Sequence, residues 1–487
     1  MEMKFNSEDY LEDQLKKQFD QEVKTTCKQE LNRQLFEVSE ELEKKVVCRS
    51  IEALQQMVRQ QVLTYADITE CFWNRAVRLQ EYNAVISLNP DVVKQAEKLS
   101  YSEEHGPLYG MPVLIKDNIC TEGMPTTAGA AVLQDFVREK EAELISNLKE
   151  AGALILGKAN LTEWANFMST DSSNGYSAVG GQTRHAHGRF DVGGSSAGSS
   201  VAVALCMAPV AVGTETAGSI IYPASQNGVV GLKPTQGLIA QDGIIPISVT
   251  QDTAGPMAKT VKDTYALLQG MTTLNEELPK WNVTALDACK VGVIDNLELT
   301  DTYRKEDERI IEEAEEALDE AGAIVREYSV LKEALTIDYL PVLKHEFSRG
   351  VSRFFSEATD RKLTLEEVIT FNEEDMEERA PFNQELLIQS VADKTTPKAN
   401  QKRVDANCDK ARAALDQAFE EVDVLLTLSN YATSLYVASG YPAVTLPGFK
   451  RTSGEPVGVT LIGQEGQDVR LLEMAYALEQ AISHHVE

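Results

Sequence analysis

The first helical pattern of the chain lies between residues 8 and 46, where apolar side chains recur among charges of both signs. The apolar positions, at steps that include three, four and eight, are Leu11, Leu15, Phe19, Val23, Leu31, Leu35, Val38, Leu42 and Val46. Such steps place apolar side chains on one face of a long amphipathic helix or of two shorter ones. Two uses of that face stay open: a coiled-coil arm that joins a homodimer, and packing against the rest of the chain. The stripe drifts from a strict heptad, which favours packing.

Beyond residue 50, amphipathic segments alternate with short apolar runs. The amphipathic segments predict helices over 51–62, 66–81, 141–152, 306–321 and 469–482, with further helices up to about 420. The apolar runs predict strands over 111–115, 153–156, 290–294, 323–328, 423–428, 441–446 and 456–463, with short strands inside 228–237 and 243–257. A run of small apolar residues over 200–212 is interpreted as a helix. The alternation predicts an α/β fold, and the absence of a linker in 60–487 indicates one large domain.

Two polar, glycine-rich stretches stand apart from this pattern. Residues 169–200 predict a long loop, and long ordered loops in compact domains are often functional. Residues 213–225 read GTETAGSIIYPAS, in which small residues surround Ser219. Such a run packs poorly as a helix but lets the backbone turn tightly and approach another group closely. This composition suggests that another molecule must come close to Ser219.

The charge balance excludes two classes of partner. The chain has 76 acidic against 46 basic residues and a formal net charge of -30 at pH 7. Nucleic-acid binding relies on basic side chains that neutralise phosphates, and an anionic membrane repels a surface of this sign. No apolar run approaches the roughly 18 residues of a membrane span, and residues 1–17 lack the apolar core of a signal peptide. We therefore expect a cytoplasmic protein that binds neither nucleic acid nor membrane.

The cysteines agree with that location. There are seven, an odd number, and no Cys-x-x-Cys pair occurs among positions 27, 48, 71, 120, 206, 289 and 408. Several have apolar neighbours, as Cys206 has in VAVALCMAPV. We interpret all seven as buried free thiols in a reducing compartment.

Familiar catalytic patterns are missing from the sequence. His185 and His187 could supply two metal ligands, and so could His484 and His485, but no His-Glu-x-x-His motif occurs in the sequence. The GGSSA sequence misses the Gly-x-Ser-x-Gly elbow because position 197 is Ala, and neither a P-loop nor a Gly-x-Gly-x-x-Gly motif occurs. The sequence therefore predicts no metal site, no histidine-based triad and no nucleotide chemistry.

Serine chemistry without histidine remains. Ser195 and Ser196 lie in GGSSAGSS, where glycines allow unusual backbone angles. Ser219 lies in ETAGSI, where several successive N–H groups could stabilise an oxyanion. Lys116 ends a buried strand, where desolvation would lower the pKa of its amine towards neutrality. Each feature alone has an ordinary explanation, a surface lysine or a plain loop, but together they suggest a lysine base near a serine nucleophile.

The stretch GGSSAGSSVAVALCMAPVAVGTETAGSIIYPASQNGVVGLKPTQG, residues 193–237, resembles the signature of the amidase signature family almost throughout. GPLYGMPVLIKDN, GALILGKANLTEWANF, GYPAVTLPGF and GEPVGVTLIGQ resemble other segments of that family, over about 60–480. NGYSAVGGQT and DGIIPISVTQDTAGPMA look most like the branch that contains bacterial peptide amidases. The resemblance implies a large twisted mixed β-sheet flanked by helices on both faces, as an amidase signature domain over 61–487, after an N-terminal helical extension over 1–60.

The resemblance also implies roles for the candidate site residues. Ser219 matches the nucleophile, Ser195 the bridging serine with a cis peptide bond, and Lys116 the base. The implied oxyanion hole consists of the backbone N–H groups of Thr216, Ala217, Gly218 and Ser219. The implied reaction is hydrolysis of a linear amide by way of an acyl-enzyme, with no cofactor. The implied substrate is a small-molecule or short-peptide amide, such as a C-terminal peptide amide or a small aliphatic or aromatic amide, whose pocket draws on parts of 310–435.

The signature departs from the family at three positions of interest, since TETAGSII stands where TDTGGSIR is usual. Glu215 replaces Asp, Ala217 narrows the backbone angles of the implied oxyanion hole, and Ile221 removes an arginine that would support an ion pair. Two alternatives to a standalone amidase stay open. One is the glutaminase subunit of a tRNA-dependent amidotransferase, which the QDTAGP segment fits poorly. The other is an inactive amidase core that serves as an interaction protein through residues 1–60.

Overall fold

An eleven-stranded mixed β-sheet flanked by helices forms the framework of the computed structural model, which describes residues 8–274, 278–297, 303–358 and 362–485. The strands of the described residues are β1 (Val85–Leu88), β2 (Pro112–Lys116), β3 (Leu154–Ala159), β4 (Tyr176–Ser177), β5 (Gly181–Gln182), β6 (Val210–Glu215), β7 (Val230–Lys233), β8 (Thr253–Ala258), β9 (Lys290–Ile294), β10 (Ile324–Tyr328), β11 (Val424–Leu428), β12 (Ala443–Lys450) and β13 (Pro456–Ile462). The large sheet has the order β1-β3-β2-β6-β8-β7-β12-β13-β11-β9-β10, and β4 pairs with β5 alone. The predicted fold class is confirmed.

The α-helices precede, separate and follow these strands. They are α1 (Glu8–Phe19), α2 (Glu40–Val46), α3 (Ile51–Arg59), α4 (Tyr65–Arg78), α5 (Val92–Ala96), α6 (Glu143–Glu150), α7 (Glu163–Asn166), α8 (Ala197–Ala204), α9 (Ile221–Asn227), α10 (Val261–Met271), α11 (Arg304–Glu320), α12 (Lys332–Leu335), α13 (Leu340–Ala358), α14 (Leu365–Glu373), α15 (Met376–Arg379), α16 (Glu385–Ala392), α17 (Pro397–Phe419), α18 (Thr433–Ser439) and α19 (Asp468–His485). Short 3₁₀ helices cover Gln80–Tyr82 and Ala131–Leu133. None of the helices in the described ranges combines the length and the apolar character that a membrane crossing requires.

The strands β2 and β3 were predicted well from their apolar runs because the centre of the sheet is buried on both faces. β2 and β3 pair in parallel, β2 and β6 pair in parallel, and every residue of these three strands is buried. Strands covered on both faces read as continuous apolar runs rather than alternating ones. β2 therefore carries a lysine at its carboxyl end into the interior of the protein, as the sequence predicted.

The predicted helix over 200–212 is wrong in its second half. Helix α8 ends at Ala204, and Cys206 then takes a φ of 55°, which interrupts the helix. From Val210 the chain enters β6, where it pairs with β2 and β8. Small apolar residues suit a helix and a buried strand equally well, so pairing with neighbouring strands decides the outcome.

The N-terminal segment, residues 8–46, packs against the rest of the chain. The predicted helix over 8–46 is wrong for residues 20–39, because only the ends of the segment are helical, in α1 and α2. The residues between them bind the body of the protein through backbone groups instead of forming helical hydrogen bonds. The N–H of Gln29 donates to the carbonyl oxygen of Val179 at 2.8 Å, and the side chain of Asn74 binds both the N–H and the carbonyl oxygen of Phe36. The predicted packing is thus observed, whereas the homodimer and the domain boundary at residue 60 stay predictions.

Two of the seven cysteines form a disulfide, so the prediction that all are free thiols is wrong. Cys48 and Cys206 are joined, with their Cα atoms 5.4 Å apart and their positions separated by 158 in the sequence. Cys48 follows α2 and Cys206 follows α8, and only the packing of the N-terminal segment brings them together. The other five cysteines are free.

Candidate active site

The site lies where two parallel strands of the sheet end next to each other. β2 ends at Lys116 and its parallel neighbour β6 ends at Glu215. The carboxyl ends of parallel strands meet at one edge of a sheet, which is where α/β proteins bind ligands. Two turns reach this edge: the turn with Ser195 leads into α8, and the turn with Ser219 joins β6 to α9.

The amine of Lys116 is fully buried and faces hydroxyl groups rather than a carboxylate. Its Nζ lies 2.8 Å from Ser195 Oγ, 2.8 Å from Ser196 Oγ and 3.1 Å from the carbonyl oxygen of Thr214. Within the described ranges it forms no ion pair. Burial lowers the pKa of Lys116 well below the usual value for lysine, although the charges of two more distant carboxylates oppose that shift. A lysine whose amine is kept neutral in these surroundings can accept a proton from a hydroxyl group.

The turn before α8 is held from both sides. The peptide bond between Gly194 and Ser195 is cis. A Cβ atom on Gly194 would lie 2.5 Å from Thr162 Oγ1, so the turn has no room for a larger residue. The N–H of Thr162 donates to the carbonyl oxygen of Ser195 at 3.0 Å. The hydroxyl of Ser196 donates to the carbonyl oxygen of Thr214 at 3.1 Å. The backbone of Ser195 and the hydroxyl of Ser196 are therefore held in place beside the lysine.

Ser219 adjoins the same turn through its backbone. Its carbonyl oxygen accepts the N–H of Ser196 at 3.1 Å, and 8% of the residue is exposed. Gly218 before it has a φ of 85°, which glycine adopts without steric cost. The hydroxyl of Ser219 makes no hydrogen bond to another described residue, so its link to Ser195 stays a prediction. Catalytic hydrogen bonds often shorten only when substrate is bound.

Glu215 holds the turn that carries Ser219. Its Oε2 accepts the N–H of Ile220 at 2.7 Å and that of Ile221 at 3.0 Å. Burial raises the pKa of this carboxyl group, and the backbone hydrogen bonds oppose the rise. Backbone N–H groups thus take the place of the arginine expected at position 221, where the isoleucine is fully buried. Two carboxylate charges raise the pKa of Lys116, and that of Glu215 has the larger effect.

The four predicted oxyanion donors differ in their surroundings. The N–H of Gly218 lies near enough to the carboxylate of Glu215 to lower its pKa, so this donor faces the protein's own anion. In the part of the chain that the structure describes, the N–H groups of Ala217 and Ser219 donate to no other residue. Ala217 does not need a positive φ, so alanine fits where the family usually has glycine. The role of these N–H groups in catalysis stays a prediction.

Sequence reasoning did not select Asp252, which lies next to this turn. Its carboxylate accepts the hydroxyl of Thr216 and the N–H groups of Ile247 at 2.8 Å and Ser248 at 2.9 Å. Burial raises the pKa of Asp252 to about 7, against the effect of those hydrogen bonds. The charge of Asp252 also raises the pKa of Lys116, with a smaller effect than that of Glu215. The QDTAGP motif, residues 251–256, which leads into β8, was the available signal, but nothing in it indicated a contact with the predicted oxyanion hole.

The histidines considered as metal ligands have other partners. His185 Nε2 lies 2.7 Å from the carbonyl oxygen of Gln226, and burial lowers the pKa of this imidazole to about 4. His187 Nε2 lies 2.9 Å from the carbonyl oxygen of Asn227. Both rings therefore bind the end of helix α9. The side chains of residues 484 and 485 lie outside the described residues.

The similarity of the chain to known proteins extends over most of its length. The family model described as Amidase matches residues 67–435. A solved amidase family protein from Bacillus anthracis str. Ames is 34% identical and has a TM-score of 0.87, over 92% of this chain and 94% of that chain. The native peptide amidase from Stenotrophomonas maltophilia is 35% identical with a TM-score of 0.80, over 89% of this chain and 96% of that chain. A glutamyl-tRNA(Gln) amidotransferase subunit of Alkaliphilus metalliredigens is 32% identical, over 87% of this chain and 94% of its own.

Proposed function

Because this chain belongs to the amidase family and is a hydrolase that acts on amides, we propose that it cleaves carboxamides with Lys116 as base and Ser219 as nucleophile. The observation that carries the proposal is the buried amine of Lys116, 2.8 Å from the hydroxyl of Ser195 and without a carboxylate partner among the described residues. An amine that burial keeps neutral can take a proton at neutral pH, whereas an ion-paired ammonium cannot.

The proposed reaction begins with proton transfer from Ser219 through Ser195 to Lys116. The Ser219 oxygen attacks the amide carbonyl, and a tetrahedral intermediate forms whose negative oxygen binds backbone N–H groups of the turn after β6. Of these, the N–H groups of Ala217 and Ser219 have the surroundings best suited to that role. Ser195 then passes the proton to the departing nitrogen, which leaves as ammonia or an amine. Water releases the acyl group from Ser219 as a carboxylate.

The proposed substrate class is a terminal carboxamide, with C-terminal peptide amides as the leading candidates. The similarity to a peptide amidase over nine-tenths of this chain supports that class. Ser219 is only 8% exposed. A terminal carboxamide fits such a site better than an internal peptide bond, because an internal bond would bring chain on both sides of it to the buried hydroxyl. The acidic surface of the chain, with a net charge of -30, does not oppose the neutral amide group.

Ammonia release from a panel of amides tests the proposal. The panel contains short peptide amides, aliphatic and aromatic amides and free glutamine. Ser219→Ala is the test variant, and Ser356→Ala, at an exposed position on α13, is the matched control. We expect wild type and control to release ammonia at equal rates and Ser219→Ala to release it at least about 10³-fold more slowly. Equal rates for all three proteins would overturn the assignment of the nucleophile.

Free glutamine is in the panel because of one specific similarity. The amidotransferase subunit of Alkaliphilus metalliredigens shares 32% of its sequence with this chain. If glutamine alone releases ammonia, and does so faster in the presence of a partner protein, the glutaminase role replaces the peptide-amide role. Ammonia release from peptide amides by the isolated chain would exclude that alternative.

A further inference from the structure

A buried carboxylate lies between the two turns that carry the candidate serines. Asp191 is 2% exposed and forms no ion pair within the described ranges. Four neutral donors surround it: Gln18 Nε2 at 2.6 Å, Asn174 Nδ2 at 3.0 Å, the N–H of Gly193 at 3.1 Å and the hydroxyl of Tyr222. A buried anion without a cation depends on such hydrogen bonds, and each donor lost leaves it less stable.

Two of these donors belong to the turns of the proposed catalytic groups. Gly193 stands two residues before Ser195, and Tyr222 stands three residues after Ser219. Asn174 adjoins the cis peptide directly, since a Cβ atom on Gly194 would lie 3.2 Å from Asn174 Oδ1. The carboxylate therefore ties the turn before α8 to the first turn of α9. A shift in its position would change the distance between the two serine hydroxyls.

Helix α1 supplies the remaining donor and closes the cluster on its outer side. Gln18 Oε1 accepts the N–H of Val192 at 3.1 Å, so its amide binds both Asp191 and the next residue in the chain. Four residues earlier, Gln14 accepts the N–H of Asn174 at 2.7 Å and donates to the carbonyl oxygen of Ser172 at 2.9 Å.

One turn further, the hydroxyl of Tyr10 lies 3.0 Å from Asn174 Nδ2. The three side chains of α1 are four residues apart and lie on one face. They meet the two loops that flank the cis peptide.

We infer that Asp191 is a positioning residue for the Ser195–Ser219 pair. We also infer that α1 completes the set of hydrogen-bond donors around the Asp191 carboxylate. The inference rests on the proposed function, because it assigns a purpose to the alignment of these two serines. It gives the N-terminal segment a part in catalysis, whereas a segment that only stabilises the fold would change the amount of folded protein and not the rate per folded molecule. Asp191 itself touches no reacting atom.

Three variants and one control test this inference. Asp191→Asn turns one acceptor into a donor in a cluster of donors, Tyr222→Phe removes one hydroxyl, and Gln18→Leu removes the contact from α1. Lys16→Gln changes an exposed side chain of the same helix and is the control. Circular dichroism and thermal unfolding give the folded fraction of each protein. Two rates are then measured: kcat and KM for the best amide, and the rate at which phenylmethylsulfonyl fluoride inactivates the protein, which needs no amide substrate.

We expect kcat to fall by about 10²-fold in Asp191→Asn and about 10-fold in Gln18→Leu and Tyr222→Phe, as misplaced reacting groups predict. KM should change by less than about 3-fold, inactivation should slow in parallel with kcat, and Lys16→Gln should match wild type. Folded variants with wild-type kcat and wild-type inactivation would overturn the positioning role alone. A wild-type protein inert towards every amide and towards the probe would overturn the proposed function and this role together.

Discussion

Two lysines on neighbouring strands are equally buried, yet their partners differ in kind. Lys116 ends β2 and Lys158 lies in β3, and both are 0% exposed. Lys158 Nζ lies 3.1 Å from Asp117 Oδ1 and donates to the carbonyl oxygen of Ile119 at 2.8 Å and to Thr126 Oγ1 at 2.9 Å. Lys116 has two hydroxyls and one carbonyl oxygen instead, and no carboxylate partner in the described ranges.

The difference separates a structural lysine from a chemical one. A carboxylate in direct contact offsets the cost of burying an ammonium, so the Lys158 pair can hold loop and sheet together. Without that contact, burial favours the neutral amine, and its lone pair becomes available to a hydroxyl group. Sequence position does not distinguish the two, because both lysines stand in apolar strands. The distinction comes from which residue faces each Nζ after folding.

The largest expected effect is the loss of activity in Lys116→Met. Removal of the proposed base should lower kcat by at least about 10⁴-fold, because the members of a catalytic triad act as a unit. The unfolding free energy should change little, since methionine fills similar space and no buried carboxylate loses its partner. Steady-state ammonia release and urea unfolding measure the two quantities. Retention of a tenth of the wild-type kcat would refute the base assignment.

Lys158→Met should show the opposite profile. It leaves the carboxylate of Asp117 buried without a cation, which costs about 3–5 kcal/mol of unfolding free energy. The kcat per folded molecule should stay within about 10-fold of wild type, because the lysine faces away from the serines. The double variant Lys158→Met/Asp117→Leu should recover most of the lost stability, as apolar replacement of buried pairs often does. A stable single variant in urea unfolding would contradict the structural role.

The pH dependence of kcat/KM should show a smaller effect than either substitution, but one that points to a single titrating group. Activity should rise tenfold per pH unit below the lowered pKa of Lys116 and level off above it, because only the neutral amine accepts a proton. Glu215→Gln removes a charge that raises the pKa of Lys116, so the rising limb should move to lower pH. Gln fits because Glu215 Oε1 accepts no hydrogen bond among the described residues. A limb that stays in place or moves to higher pH would show that another group controls it.

Apolar patterns predicted the framework and the residues at its edge, but not the contacts made across long stretches of chain. β2 was predictable because PVLIK is buried on both faces, so its terminal Lys116 could be recognised as unusual. The Cys48–Cys206 disulfide was not predictable, because its two cysteines are 158 positions apart and nothing near either of them in the sequence indicates the other.

Helix α1 shows a second limit of pattern analysis. The apolar stripe selected Leu11 and Leu15 as its buried face, but these are only half-buried. The deeply buried side chains are Gln14, 1% exposed, and Gln18, 8% exposed. A glutamine is buried when its amide finds matching partners, here the loops that carry Asn174 and the Asp191 carboxylate. No periodicity of hydrophobic positions contains that information.

The protonation state of Lys116 tests the central claim most directly. Protein with ¹³Cε- and ¹⁵Nζ-labelled lysine can be titrated by NMR, and the signal of Lys116 is the one that disappears in Lys116→Met. The account predicts an amine that stays neutral until the pH falls well below the ordinary lysine pKa, and takes up its proton only then. An ammonium signal that persists up to about pH 10 would contradict it, because a lysine that keeps its proton there cannot be the base.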